Sequence, residues 1–183
     1  LLEEIAEKTP LGRILGSGVA VTAKVFGIAR VPAVKGQGIP AHAARSSKGW
    51  GVTYATSPQG ADHTAGVVLE EPLSSVGQAE RSRLSQIATA ALDATGLCLF
   101  TFLTGAPQVI VPMINGLFGV SWTDADYMEM GKEMLRQERT FNRKAGIGPE
   151  ADGLPDWMKS EPLLPTKAVF DVPQADIESV FNF

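Results

Sequence analysis

The sequence predicts an all-α protein, and three observations support that fold class. First, several segments repeat apolar residues at the three- and four-residue spacing of one helix face. Second, residues that start or end helices stand at the ends of those segments. Third, strand signals are weak throughout, and no internal repeat is present. The 183 residues suit one domain, or one domain plus a piece of another, and suffice for a sizeable core.

The first predicted helix runs from Thr9 to Gly27. Thr9 is suited to cap it, Pro10 suits its first position, and Gly27 suits its end. One face carries apolar or small residues, namely Leu11, Ile14, Leu15, Gly18, Val19, Thr22, Val25 and Phe26. Residues 29–66 are rich in Gly, Pro and Ser instead. We expect a long loop there, with a short helix beginning after Ser46–Ser47.

The second clear helix occupies residues 74–96 and ends at Gly96. Its apolar face consists of Leu84, Ile87, Ala88, Ala91 and Leu92. Residues 105–119 predict a short, buried helix that starts near Pro107 or kinks near Pro112.

Residues 123–146 carry the strongest helical pattern. Thr123 and Asp126 resemble a capping box, and basic residues gather near the end, where the helix dipole favours them. Apolar residues recur at seven-residue intervals, in the sets Tyr127, Met134, Phe141 and Met128, Leu135. Residues 146–183 hold many loop-forming residues and predict an irregular tail with short turns.

Composition excludes several classes of protein. The formal net charge is −4 without a basic cluster, which argues against nucleic-acid binding. The single cysteine cannot form an internal disulfide and fits a reducing, cytoplasmic setting. The opening "LLEEIAEKTP" lacks Met and a basic stretch, which predicts no signal peptide and suggests a processed product or fragment. Residues 94–123 carry no charge, but Gly, Pro and Asn interrupt them, so a buried core segment is favoured over a membrane helix.

Three residues are candidates for chemistry, and each has a plainer interpretation. His63, beside Asp62 and Thr64, is a candidate general acid or base, or else a surface or structural histidine. Cys98 is the one thiol of the chain, or in the plainer interpretation a small apolar residue between two leucines. Asp93 opposes the dipole in the last turn of its helix, so it either has an N–H partner or points into water.

Four segments, taken in order, resemble the C-terminal part of the aldehyde:ferredoxin oxidoreductases, the tungsten- and molybdopterin-dependent enzymes. The similarity extends from residue 1 to about residue 165, and this order and extent are more specific than any one motif. The segments are "VKGQGIPAHAARSSKGWGVTYATSPQGADHT" (34–64), "DATGLCL" (93–99), "GKEMLRQERTFNRKAG" (131–146) and "DGLPDWMKSEPL" (152–163).

The resemblance implies a role for each candidate residue. Asp93 would accept N–H groups from the pterin of a tungstopterin or molybdopterin, with Gly96 ending the helix beneath it. Leu97 would offer backbone groups to the same pterin. Cys98 would be the fourth ligand of a [4Fe–4S] cluster whose other three cysteines lie outside this chain. His63 would lie near the metal and handle protons.

The resemblance also implies an activity, which is oxidation of a small aldehyde to a carboxylic acid with electrons passing through the cluster to ferredoxin. Residues 1–33 would end the middle helical domain, and residues 34–183 would form the C-terminal helical domain. The expected partners are ferredoxin, the aldehyde and the protein's own N-terminal domain, with no nucleic acid and no membrane. Because a face meant for another domain would be exposed, we expect a homo-oligomer or a disordered 36–64 loop. The chain alone is expected to be inactive.

Several departures from the family keep a second interpretation open. The N-terminal sheet domain, the three-cysteine run, the earlier Asp-x-x-Gly motif and an acidic active-site residue are absent from these residues. The segment between His63 and Asp93 is short, and Gln59 stands where the family commonly has Arg. The alternative is a non-catalytic helical binding or scaffold domain derived from this fold. A third, weaker hypothesis is a membrane-associated helical protein.

Overall fold

The computed structural model describes residues 1–100 and 106–183 and confirms the all-α class. Extended structure in those residues is limited to a short hairpin of β1 and β2 and one isolated bridge between Leu163 and Ala168. The elements, in chain order, are α1 (Leu2–Ala6), α2 (Pro10–Gly16), α3 (Val19–Phe26), β1 (Ala33–Val34), β2 (Gln37–Gly38), α4 (Lys48–Thr56), α5 (Gln78–Ala94), α6 (Ala106–Phe118), α7 (Asp124–Lys144), a 3-10 turn (Pro149–Ala151), α8 (Trp157–Ser160) and α9 (Gln174–Ser179).

The first predicted helix is correct at its two ends and wrong in its middle. The Thr9 side chain accepts a hydrogen bond from Gly12 N, and Gly27 adopts the left-handed conformation that ends α3. The chain breaks between α2 and α3 because Gly18 takes a positive φ of 88°, which interrupts helical geometry. Much of the predicted apolar face is exposed in this chain, including Val25 and Phe26.

Helix α4 lies in the centre of the main core, and every one of its residues is buried. The predicted short helix after Ser46–Ser47 is therefore confirmed. Its small residues allow neighbours to approach closely, since a Cβ on Gly51 would lie 2.7 Å from the Phe170 ring. The Gly-rich sequence of this segment thus reflects tight packing around a buried helix.

The C-terminal segment packs against α4, so its prediction as an irregular tail is only partly correct. Its regular elements are short, but its apolar side chains belong to the main core, namely Leu154, Met158, Phe170, Val172, Ile177 and Val180. A backbone hydrogen bond from Gly153 N to Ala55 O ties this segment directly to α4.

Helices α5 and α7 cross in close contact. A Cβ on Gly131 would lie 2.1 Å from Ile87 O, so the two backbones can meet only at a glycine. The predicted end of α5 at Gly96 is confirmed by a φ of 75°, and the capping box of Thr123 and Asp126 is present. Leu84 is half exposed, which corrects its predicted place in the apolar face of α5.

The α5 face towards α4 carries buried polar residues that the apolar pattern does not reveal. Ser82, Gln86 and Thr89 are buried there. On α7, Tyr127 and Leu135 are buried, whereas Phe141 is exposed and leaves the predicted seven-residue stripe.

Helix α6 corrects the prediction of a buried helix. Pro112 lies inside it, and Ile110 and Val111 are buried. Leu117 and Phe118 are exposed, Phe118 to 70%. The predicted buried segment 94–123 includes residues 101–105, which lie outside the described residues. Among the residues that the model describes, no helix has the length and apolar character needed to cross a membrane.

Candidate functional site

Asp93 lies in the last turn of α5, and no described residue donates a hydrogen bond to its carboxylate. Burial raises the pKa of Asp93, and the nearby charge of Asp62 raises it further. The helix dipole also disfavours a negative charge at this end. Asp93 is an exposed residue, so its carboxylate is open to solvent and to any group bound in front of it. An acid whose charge the protein does not stabilise is a candidate for ligand binding.

A cavity of about 240 Å³ opens beside Asp93. It is lined by α5, α7 and the segment after α4, through Ser57, Pro58, Gln59, Ala65, Gln86, Thr89, Ala90, Asp93, Ala94, Met134, Leu135 and Glu138. No Lys or Arg occurs among these described lining residues. Burial raises the pKa of Glu138, and the charge of Asp93 adds to that effect.

Gln86 also lines this cavity, and its side-chain oxygen is buried beneath the surface. Its side-chain amide donates to Thr56 Oγ1 at 2.8 Å and to Ser82 Oγ at 3.1 Å. Gln86 is 1% exposed, and its Oε1 has no hydrogen-bond partner among the described residues. A buried carbonyl oxygen without a partner is costly and is expected to be served by a bound group.

The segment after α4 carries His63 into the same neighbourhood. Asp62 Oδ1 accepts hydrogen bonds from Thr64 N and Thr64 Oγ1, both at 2.9 Å. The His63 side chain is 52% exposed, and its Nδ1 lies 3.9 Å from Asp62 Oδ1, which exceeds a hydrogen bond. The His42 ring lies 5.8 Å from the His63 ring. Asp62 therefore fixes the local turn and holds an anionic charge near both His63 and Asp93.

A buried ionic cluster fixes the start of this segment. Asp152 Oδ1 lies 2.7 Å from Lys35 Nζ, and Asp152 Oδ2 lies 2.8 Å from Arg139 Nη2. Lys35 also donates to Ala55 O at 3.2 Å and Ser57 O at 2.8 Å, which are carbonyls at the end of α4. Burial lowers the pKa of Lys35, and the hydrogen bond to Asp152 offsets part of that effect.

A second clamp comes from α7. Asn142 Nδ2 donates to Pro58 O at 2.8 Å, and Arg139 Nη1 donates to Thr56 O at 3.3 Å. Both residues, with Glu138, lie in the "ERTFN" stretch of the third segment quoted for the family resemblance. That stretch thus has a physical role here, since it holds the segment leading to His63.

Cys98 follows α5 directly and is exposed. The preceding Leu97 donates its backbone N–H to Thr95 Oγ1 at 3.3 Å. Leu97 also lines an apolar groove of about 820 Å³ together with α6 residues and Trp122. Among the residues that the model describes, no three His, Cys, Asp or Glu side chains group as a metal site. A cluster held by Cys98 would therefore take its remaining ligands from elsewhere.

Sequence reasoning missed the part of the site formed by Glu138, Gln86 and the ionic cluster. One signal was available for Gln86, which precedes Asp93 by seven residues and so lies two turns away on the same face. Glu138 lies in the "ERTFN" stretch of the family resemblance, but that motif did not show that the contact between α5 and α7 brings it to the cavity.

The described residues form an all-α region, and comparison with known proteins identifies the family to which it belongs. A family model described as "Aldehyde ferredoxin oxidoreductase, domains 2 & 3" matches residues 1–180. The chain belongs to the aldehyde ferredoxin oxidoreductase family.

Relatives from three archaea share this similarity, and each is described as a tungsten-containing aldehyde ferredoxin oxidoreductase. The chain is 30% identical to the Pyrococcus horikoshii protein over 175 residues, 31% to that of Pyrococcus abyssi and 30% to that of Thermococcus kodakarensis. Each similarity covers 88% of this chain and 29% of the relative. The chain therefore spans less than a third of the length of these relatives.

Proposed function

We propose that this chain is the cofactor-facing helical part of an enzyme that oxidises a small aldehyde to a carboxylic acid. The observation that carries the proposal is the carboxylate of Asp93, which has no donor among the described residues and lines a cavity five residues before the exposed Cys98. Family membership supports the reaction class, and the names of the relatives favour tungsten over molybdenum. Residues 1–33 would end one helical domain, and residues 34–183 would form the next.

The residues at the cavity fit a pterin. Asp93 is an acceptor without a donor among the described residues, and a pterin presents N–H groups along one edge, so the two are complementary. Gly96 ends α5 beneath the ring, and Leu97 would offer its backbone carbonyl, since its N–H bonds to Thr95. When bound, the metal of the tungstopterin would carry out the oxidation of the aldehyde.

Cys98 fits a cluster ligand, because a thiolate must be accessible to reach an iron atom. The chain contains one cysteine, so a [4Fe–4S] cluster needs three further ligands from residues beyond it. We therefore propose that the chain alone is inactive and joins an N-terminal domain to form the complete site. Ferredoxin is the proposed electron acceptor, in a reducing, cytoplasmic setting.

His63 is the proposed proton-handling residue. Oxidation of an aldehyde to an acid consumes one water and releases two protons and two electrons. A half-exposed imidazole beside the Asp62 charge can accept such a proton and pass it to solvent. In the complete enzyme, His63→Ala is expected to retain the cofactor and lower turnover by about a hundredfold or more. Unchanged turnover would remove His63 from the mechanism.

Iron analysis tests the proposal most directly. In the complete protein that carries this chain, Cys98→Ser should lose cluster iron and its visible absorbance. Ser85→Ala, a substitution of an exposed hydroxyl on α5, serves as the matched control and should retain both. If Cys98→Ser keeps its iron and absorbance, the ligand assignment is wrong.

A non-catalytic helical binding or scaffold domain is the second candidate, and two observations favour it. Gln59 lines the cavity where the family commonly has a cation, and the apolar groove beside α6 suits a protein partner. The reading frame upstream of Leu1 distinguishes the two functions. A three-cysteine run and a second Asp-x-x-Gly motif there would support the enzyme, whereas a start codon at Leu1 would support the scaffold.

A further inference from the structure

The cavity beside Asp93 offers hydrogen-bond acceptors from two helices and no charged donor among its described lining residues. Asp93 and Gln86 come from α5, and Glu138 comes from α7. A bound group that satisfies both carboxylates must present several N–H or O–H donors. The cavity volume of about 240 Å³ far exceeds the roughly 10–15 Å³ that a single water requires.

The orientation of the Gln86 amide follows from a directed series of hydrogen bonds. Thr56 Oγ1 donates to Val52 O at 2.8 Å, so it can only accept from Gln86. Thr53 Oγ1 donates to Gly49 O at 3.4 Å, which leaves Ser82 as the donor in the Ser82–Thr53 pair. Ser82 Oγ must then accept from Gln86 as well. Both N–H groups of the amide are thus used, and Oε1 remains as an acceptor.

Glu138 differs from the other two glutamates on α7. Glu129 and Glu133 pair with Arg136, and Glu129 also pairs with Lys132. No described residue donates a hydrogen bond to Glu138 or forms an ion pair with it. The adjacent Arg139 is engaged by Asp152 instead. Glu138 is therefore an exposed acid at the cavity that no described residue neutralises.

We infer that Glu138 is a second cofactor-binding residue, which accepts N–H groups from the same heterocycle as Asp93. The inference rests on the proposed function, because it takes the pterin as the ligand of the cavity. The edge of a 2-amino-4-oxopteridine is planar and rich in N–H groups, so the two carboxylates complement it. An acidic cavity of this kind would reject a heterocycle that presents oxygens in place of the amino group, because acceptor would face acceptor.

Binding of the free heterocycle to the full chain tests the inference without enzyme activity. Fluorescence titration is carried out with 2-amino-4-oxopteridine and with its 2,4-dioxo analogue, which lacks the amino group. The wild-type chain is expected to prefer the amino compound by about tenfold or more, as loss of a charge-assisted hydrogen bond implies. Glu138→Gln and Asp93→Asn are each expected to weaken binding of the amino compound by a similar factor. Glu133→Gln, an exposed and ion-paired site on the same helix, is the matched control and should bind as wild type.

The outcomes separate this inference from the proposed function. If Asp93→Asn weakens binding and Glu138→Gln does not, the role of Glu138 is wrong and the role of Asp93 stands. If the wild-type chain binds neither heterocycle, or if both variants bind as wild type, the inference is overturned, while iron analysis of Cys98→Ser still tests the proposed function. A titration with Mg²⁺ alone completes the set. Competition of Mg²⁺ with the heterocycle would identify a cation site and overturn the inference. Circular dichroism of each variant establishes that it is folded.

Discussion

Asp152→Asn is expected to be the most informative single substitution for stability. The Asp152 side chain is 6% exposed and lies between the ammonium of Lys35, 3% exposed, and the guanidinium of Arg139, 17% exposed. The substitution keeps the shape of the side chain and removes the anion that both cations share. Breaking one buried pair costs about 3–5 kcal/mol, and two cations lose their partner here. At roughly 2–4 °C per kcal/mol for a chain of this size, Tm should fall by about 6–20 °C.

The pH dependence of this loss identifies its cause. Without the carboxylate, burial lowers the pKa of Lys35 further, because the hydrogen bond and charge that raise it are gone. The unfolded chain then binds more protons than the folded chain between that lowered pKa and 10.5, the ordinary value for Lys35. Stability therefore rises with pH in this window, and the deficit of the variant should shrink as pH approaches 10.5. Adding Lys35→Met to Asp152→Asn should recover part of the loss at neutral pH.

Urea unfolding followed by circular dichroism, at a series of pH values, measures these effects. Asp156→Asn is the control, because that carboxylate is 98% exposed and pairs only with Lys159 among the described residues. A surface pair of this kind contributes about 0–1 kcal/mol. The reasoning is refuted if Asp152→Asn loses no more stability than Asp156→Asn, or if its deficit does not change with pH.

Three further predictions concern the helices around the cavity. Gly131→Ala should lower the free energy of unfolding by about 1–3 kcal/mol in chemical denaturation, because the added methyl group overpacks against α5. Gly116→Ala, a control position with open space around it, should not lower it. Equal effects would contradict the close contact. Asn142→Ala should accelerate amide hydrogen exchange in residues 57–64, because their clamp to α7 is lost; unchanged exchange would show that other contacts suffice. Asp93→Asn should leave the chain at least as stable at pH 7. Because the pKa of Asp93 is raised in the folded chain, ionisation of this carboxyl lowers the stability of the fold as pH rises above 3.8. A loss of stability at pH 7 would indicate an unrecognised donor.

The features that could be predicted from the sequence are set within a few residues of chain. The Thr9 cap needs only the N–H of Gly12, and the capping box at Thr123 needs only Asp126. The ends of α3 and α5 depend on Gly27 and Gly96, because glycine adopts the positive φ of a helix end without steric cost. Asp93 and Cys98 are close in sequence, so a short motif was enough to propose both as candidates.

The features that escaped prediction depend on contacts between distant segments. The apolar spacing of residues 9–27 is continuous across Gly18, so it could not reveal the break there. The pattern of α6 indicates an apolar helix, but burial of Leu117 and Phe118 requires a neighbour that the described residues do not supply. Glu138 reaches the cavity only because α5 and α7 cross at Gly131. Apolar periodicity predicts which residues share a helix face, but it does not predict which element packs against that face.

The close contact at Gly131 is the point about which α5 and α7 can tilt relative to each other. Glu138 lies seven residues beyond this contact, which is about 10 Å along a helix at 1.5 Å per residue. A tilt of about 10° between the helices would displace Glu138 by nearly a fifth of that distance, or about 2 Å. Such a displacement would separate a carboxylate from a hydrogen-bond donor. The width of the cavity mouth is therefore governed by a residue that does not line it, and a single methyl group at position 131 would act on the cavity at a distance.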